Sequence, residues 1–283
     1  MTRILLTGAG GQLGHDLRET LATDEVHAFG HAELDIADRA VVTAAARRIR
    51  PAWIVNAAAF NDVDQAESAA EQAYAVNAEG PANLAEAGAR VGARLIHIST
   101  DYVFNGLKGV AYTEDDRAEP LSVYGMSKRA GEIRVLESGV GACVLRTAWL
   151  YGVHGKNFVK AILAGASAGK PLRVVADQVG SPTSTRDLAS AIRALLQADL
   201  QGLFHVANAG ACSRFEFAKA IVDGSVEVVP VMSADMPRPA PRPVNSSLRS
   251  VRWAEAGMTP LQPWQAALKD YLRSGSGGTV LRG

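Results

Sequence analysis

The run Thr7-Gly8-Ala-Gly-Gly11-Gln-Leu-Gly14 constrains this chain more than any other. It joins Ile4-Leu-Leu6, an apolar triplet that reads as a strand, to Gln12–Leu21, which reads as a helix. Glycines at 8, 11 and 14 allow a tight turn, close backbone approach and close helix-on-strand packing. A helix that starts from such a turn directs free N–H groups and the positive end of its dipole at a pyrophosphate. The spacing is G-x-x-G-x-x-G, not G-x-G-x-x-G, so a plain glycine turn is the competing reading. Its place at the first strand–helix junction favours the phosphate turn.

The rest of the first half repeats this rhythm. Val26–Phe29, Trp53–Asn56, Arg94–Ile98 and Ala142–Arg146 read as strands. Between them lie helical patterns near 40–49, over about 67–91 and over 122–136. Apolar strands alternating with helices predict an α/β fold, a Rossmann-like doubly wound parallel sheet covered on both faces. After Tyr151 the elements shorten, the run 236–243 is rich in Pro and Arg, and a last helix is expected over 262–273. The expected division is an NAD(P)-binding domain over 1–150, with 184–224 packing back onto it. A smaller C-terminal substrate-binding domain would be formed by 151–183 and 225–273, with 274–283 as a flexible tail.

Composition excludes several classes of function. The 283 residues carry zero formal net charge and no basic stripe, so neither nucleic acid nor a membrane surface is expected as a partner. The apolar start is too short for a signal peptide, and no segment approaches a membrane span. Two cysteines, Cys143 and Cys212, do not make a disulfide framework. The expected compartment is the cytoplasm.

Tyr124 and Lys128 stand four apart in a helical pattern and share a face. A phenol ionises near pH ~10, and a neighbouring ammonium is expected to bring it nearer neutrality. Ser99-Thr100-Asp101 follows the fourth strand at its carboxyl end, where ligands of parallel sheets bind. Carbonyl reduction fits this set: Thr100 donates a hydrogen bond to the carbonyl oxygen, Tyr124 protonates it, and Lys128 tunes Tyr124. An ordinary capped helix after a loop is the competing reading. After the second strand come Gly30-His31, with no acid until Glu33 and Asp35. The choice between NADPH and NADH therefore stays open, as does whether His31 meets a phosphate or stands exposed.

Thr7–Gly14, Asn56-Ala-Ala-Ala59, Ser99–Phe104 and Tyr124–Lys128 resemble the extended short-chain dehydrogenase/reductases. Leu145–Tyr151, Asn157-Phe158, Asp177–Thr183 and Arg242–Ser246 narrow the resemblance to the dTDP-4-dehydrorhamnose reductase family. The resemblance implies that Gly8, Gly11, Gln12, Leu13 and Gly14 hold the cofactor, with Asp35 and Ile36 at its adenine and Ala57, Ala58 and Ala59 along its length. It implies that Asn77 supports the Tyr124–Lys128 relay and that Lys128 binds the nicotinamide ribose. It places Val63, Thr100, Asp101, Tyr124 and Trp149 at the sugar and Asn157 and Arg242 at the nucleotide. For Asn77, Trp149 and Arg242 an ordinary structural role competes.

Some members hold magnesium through glutamates, one near the start of the first helix. That stretch here is His15-Asp16-Leu17, and no metal site is expected. The implied reaction is NAD(P)H-dependent reduction of the C4 ketone of dTDP-4-dehydro-L-rhamnose, by a monomer or homodimer. The rivals are a non-catalytic NADP-binding regulatory subunit and a related 4-keto sugar-nucleotide reductase or epimerase.

Overall fold

The computed structural model describes residues 1–274. The expected tail lies, but for Ser274, outside the described residues. In chain order the elements begin β1 (Arg3–Thr7), α1 (Gln12–Thr20), β2 (Glu25–Phe29), α2 (Arg39–Ile49), β3 (Trp53–Asn56), α3 (Val63–Ser68), α4 (Ala70–Tyr74), α5 (Gly80–Val91), β4 (Arg94–Thr100), α6 (Val123–Glu137) and β5 (Ala142–Thr147). They continue β6 (Leu150–Tyr151), α7 (Phe158–Ala166), β7 (Leu172–Val175), β8 (Val179–Gly180), β9 (Thr183–Ser184), α8 (Thr185–Leu195), β10 (Gly202–His205), β11 (Cys212–Ser213), α9 (Arg214–Val222), β12 (Val228–Val231), α10 (Arg252–Glu255) and α11 (Trp264–Arg273).

Six strands form one parallel sheet in the order β10-β5-β4-β3-β1-β2. The order reverses between β1 and β3, which opens a crevice at their carboxyl ends. Strand side chains alternate between two cores, as a pleat with a period of two requires. Ile4, Leu6, Val55, Ile96, Ile98 and Leu145 pack against Leu13 and Leu17 of α1, Leu188 and Ile192 of α8 and Trp253 of α10. Leu5, Ile54, Leu95 and Val144 pack on the other face against α2, α5 and Val135 of α6. No helix among the described residues is long and apolar enough to cross a membrane.

A third core joins α7, α9 and α11 through Val159, Ile162, Phe217, Ile221, Trp264 and Leu268. Residues 184–206 and 214–222, taken together in the sequence reading, part company here. Helix α8 and strand β10 join the large sheet. The apolar face of α9 turns to α7, because Phe217, Ala218, Ile221 and Val222 find their partners there.

The helix expected over about 67–91 is broken. Ala69 leaves helical geometry at φ −125° and ψ 45°, and Ala75–Glu79 forms a π-helical turn before α5. That turn carries Asn77 against α6. A Cβ added at Gly131 of α6 would stand 2.1 Å from the Asn77 carbonyl oxygen, so only glycine lets the helix seat there. Alanine in a helix is ordinarily more favourable than glycine by about 1 kcal/mol. The expected sign is reversed at this position: Gly131→Ala lowers stability by about 1–3 kcal/mol, as overpacking against backbone does. Urea unfolding midpoints check this, and a midpoint at or above wild type contradicts it.

Candidate active site

Two cavities lie end to end across the crevice. One, about 440 Å3, is lined by Gly8, Gly10, Gly30, His31, Leu34, Ile36, Gln72 and Val76. The other, about 260 Å3, is lined by Gln12, Leu13, Gly14, Thr100, Asp101, Tyr124, Lys128, Thr147 and Trp149. Both share Gly11, Ala57, Ala58, Ala59 and Asn61, so they form one trough over the β1–β3 switch point.

The phosphate turn is built as its glycines require. Gly8 has φ +73°, and a Cβ on it would stand 2.4 Å from the Ala57 carbonyl carbon. Helix α1 starts at Gly11 with no side-chain cap and no acid in its first turn, which leaves its amino end for an anion. Buried Asn56 holds the facing strand end: its Oδ1 accepts from Thr7 Oγ1 at 2.7 Å and from Ala58 N at 3.1 Å. These features fit a dinucleotide whose pyrophosphate rests on α1.

Thr100, Tyr124 and Lys128, expected from the sequence as a proton-transfer set, all line the second cavity. Ser122 caps α6 by accepting from Gly125 N at 3.2 Å, which fixes Tyr124 in the first turn. Tyr124 and Thr100 face the same cavity. Burial raises the phenol's pKa above the ordinary value; Thr100 lowers it, while Asp101 and Tyr102 raise it. The expected pull of Lys128 toward neutrality is therefore corrected. Desolvation dominates, and the Lys128 ammonium instead donates to the Ile98 carbonyl at 2.6 Å. Lys128 is itself lowered to about 8 by burial, against the raising influence of Glu132 one turn along α6. Asp101 is raised to about 6, chiefly by burial, while bonds from Ser246 and Thr100 pull it down.

The other expected residues are placed as follows. Ile36 lines the first cavity, whereas Asp35 accepts from Ala37 N at 2.9 Å on its rim. Asn77 is buried, and its amide is occupied by Phe60 N, Phe60 O and Ser127 Oγ, all within 3.0 Å. It pins a loop to α6 and has no amide N–H left for a cofactor. Asn157 caps α7 through Lys160 N and donates to Gln12 Oε1 and the Gly152 carbonyl, so its amide is likewise committed. Arg242 pairs with Asp64 at 2.6 Å, next to Val63 at the start of α3. Trp149 lines the cavity in a left-handed conformation, φ +45°. His31 is exposed on the rim of the first cavity, 3.9 Å from Asp35.

Sequence reasoning missed four participants. Thr147 lines the second cavity, and its buried hydroxyl has no partner among the described residues. Gln72 and Val76 reach the first cavity only because the helix breaks at Ala69 and at the π turn. Tyr102 packs edge-on to Tyr124 at 6.0 Å, and both Arg214 and Arg242 lie near enough to interact with it electrostatically. Tyr102 sat in the quoted Ser99–Phe104 run, directly after Thr100-Asp101, which was its only signal. Among the described residues no three His, Cys, Asp or Glu side chains are grouped to hold a metal ion.

Comparison with known proteins follows this geometry. The family model described as RmlD substrate binding domain matches residues 1–276. The dTDP-4-dehydrorhamnose reductase of Mycobacterium tuberculosis is 47% identical over 292 residues, covering 99% of this chain and 95% of that protein. A probable dTDP-4,6-dihydroxy-2-methyloxan-3-one 4-ketoreductase of Streptomyces antibioticus is 43% identical over 277 residues, covering 95% and 94%. The crystal structure of dTDP-4-dehydrorhamnose reductase from Bacillus anthracis in complex with NADP matches with a TM-score of 0.94 at 39% identity, covering 96% of this chain and 99% of that one.

The lowered Lys128 pKa has a consequence for the ligand-free protein. Its folded value, about 8, lies below the ordinary 10.5, so between these pH values the unfolded chain binds more protons. Stability then rises with pH through this window. The difference in urea stability between wild type and Lys128→Met is expected to move in favour of wild type from pH 8 to pH 10.5. A flat difference contradicts the assignment.

Proposed function

We infer the function from kinship and site together: the chain belongs to the dTDP-4-dehydrorhamnose reductase family, and it is an NAD(P)H-dependent oxidoreductase that reduces dTDP-4-dehydrorhamnose. The observation that carries this reading is the meeting of Thr100 and Tyr124 in a cavity continuous with the phosphate turn. Gly8, Gly11 and the amino end of α1 would take the pyrophosphate, Ile36 the adenine side, and Lys128 the nicotinamide ribose. When bound, the reduced nicotinamide supplies the hydride.

The roles proposed for the chain's own groups follow from their environment. Negative charge grows on the C4 oxygen as hydride reaches C4. Thr100 donates a hydrogen bond to that oxygen and Tyr124 delivers the proton. Burial keeps the phenol neutral across physiological pH, so the proton is present when needed. The alkoxide formed at C4 takes that proton, and the spent phenolate regains one from solvent; a positive charge on Lys128 would stabilise the phenolate in between. Asp101, Val63 and Trp149 would face the sugar, and Arg242 the nucleotide end. Both cysteines are free and buried, in keeping with a cytoplasmic setting.

A related 4-keto sugar nucleotide is the second reading, favoured by the similarity to the Streptomyces antibioticus ketoreductase. Consumption of NADPH and of NADH with a panel of dTDP-4-keto sugars, with chromatography of the products, separates the two. Tyr124→Phe is expected to lower kcat by about 10²–10⁴-fold. Cofactor affinity, read by fluorescence titration with NADPH, is expected to hold. Wild-type turnover by that variant contradicts the proton-donor role.

A further inference from the structure

Arg214 is the first residue of α9, and its environment is specified from several directions. Strands β8 and β11 pair so that Cys212 stands opposite Gly180 and Ser213 opposite Val179, which brings Arg214 alongside Gln178. Arg214 N donates to the Gln178 carbonyl at 3.0 Å. A capping box of Ser213 and Glu216 fixes the helix start, so the side chain leaves from a rigid element. Its guanidinium carbon lies 3.5 Å from the centroid of the Trp149 ring and 5.1 Å from that of Phe158. The same guanidinium lies near Tyr102 and Asp101. Among the described residues it forms no ion pair.

Trp149 needs such support. A bulky residue at φ +45° is a backbone outlier that persists only where its surroundings over-determine it. Gly180 provides the room: a Cβ there would stand 2.3 Å from the indole. Arg214 provides the contact. A guanidinium can lie flat on an aromatic face and still donate in its own plane, which an ammonium cannot.

We propose that Arg214 is a specificity-determining positioning residue: laid on Trp149 beside Tyr102, it holds the indole as a fixed wall of the sugar subsite. This rests on the reading of the second cavity as the place where a sugar nucleotide is reduced. Tyr102 packs edge-on to Tyr124, so one arginine braces both the sugar wall and the neighbour of the proton donor.

The test compares Arg214→Met, Arg214→Lys and Trp149→Phe in the full chain, each with its urea midpoint. Arg214→Met is expected to raise KM for the sugar nucleotide about tenfold, the size of one desolvated cation–π contact. KM for NADPH and kcat are expected to stay near wild type. The emission of Trp149, taken as wild type minus Trp149→Phe, should become more open to acrylamide quenching in Arg214→Met. Arg214→Lys should resemble Arg214→Met rather than wild type. Unchanged sugar KM and quenching in Arg214→Met overturn the proposal, and so does an equal rise in KM for NADPH. If Trp149→Phe leaves sugar KM unchanged while Tyr124→Phe abolishes turnover, the sugar wall is elsewhere and the proposal fails though the reaction stands. If Tyr124→Phe turns over normally, it is the reaction mechanism that fails.

Discussion

The buried carboxylate of Glu132 ties together the three elements on which the chemistry depends. It lies on α6 one turn beyond Lys128 and is fully buried. Its Oε1 accepts from Ser99 Oγ of β4 at 2.6 Å and from Arg146 Nε of β5 at 2.8 Å. Its Oε2 accepts from Arg146 Nη2 at 2.7 Å and from Arg129 Nη1 at 2.9 Å. Removing one partner of such a buried pair typically costs about 3–5 kcal/mol, although an apolar replacement of the whole pair is often neutral. Its consequence here is therefore register. Ser99 immediately precedes Thr100, and Glu132 shares a helix with Tyr124 and Lys128. A slip of α6 along β4 would separate the two hydroxyls that must meet on one oxygen. The same negative charge also works against the desolvation of Lys128.

Close backbone approach sets the rest of the geometry. At Gly8 the phosphate turn touches the end of β3, and at Gly131 helix α6 touches the π turn. Both contacts lie at the edges of the trough. The first fixes where a pyrophosphate would rest on α1, and the second fixes how far the Tyr124 helix stands from it. Asn77 secures the second contact from the other side by bonding Phe60 and Ser127. Its contribution to the site is thus a distance between elements, which explains why a buried asparagine there need not touch a ligand.

The parallel sheet was legible because each central strand is a short apolar run buried on both faces, as in Trp53–Asn56 and Ala142–Thr147. The broken helix was less legible. Periodicity across 67–91 stays apolar on one side through the π turn, so the break leaves little trace in the pattern. Strand β12 was missed because Pro230 sits inside it, tolerated in a two-stranded sheet where Val228–Val231 pair only with β7. In the site, Thr100, Tyr124 and Lys128 carry their chemistry in local motifs. Arg214 and Tyr102 are 112 positions apart, and no local pattern announces their proximity. Asn157 shows a structural role that its motif did not announce: it caps α7 and holds Gln12.

Trp149 stands where the two bodies of the protein meet. Strand β5 ends at Thr147 in the large sheet, and β6 begins at Leu150, leading to Tyr151 in the third core. The left-handed turn at Trp149 redirects the chain between them. A residue that lines the cavity is therefore also the residue at which the fold changes direction. Its indole packs with the third-core cluster and also with the Phe104–Tyr112 cluster near Thr100. A change in how those two clusters pack would move the indole relative to Tyr124, whereas the phosphate turn would feel nothing. The fold in this way separates the geometry of the phosphate turn, fixed by the sheet, from that of the Trp149 wall, fixed where the second body joins it.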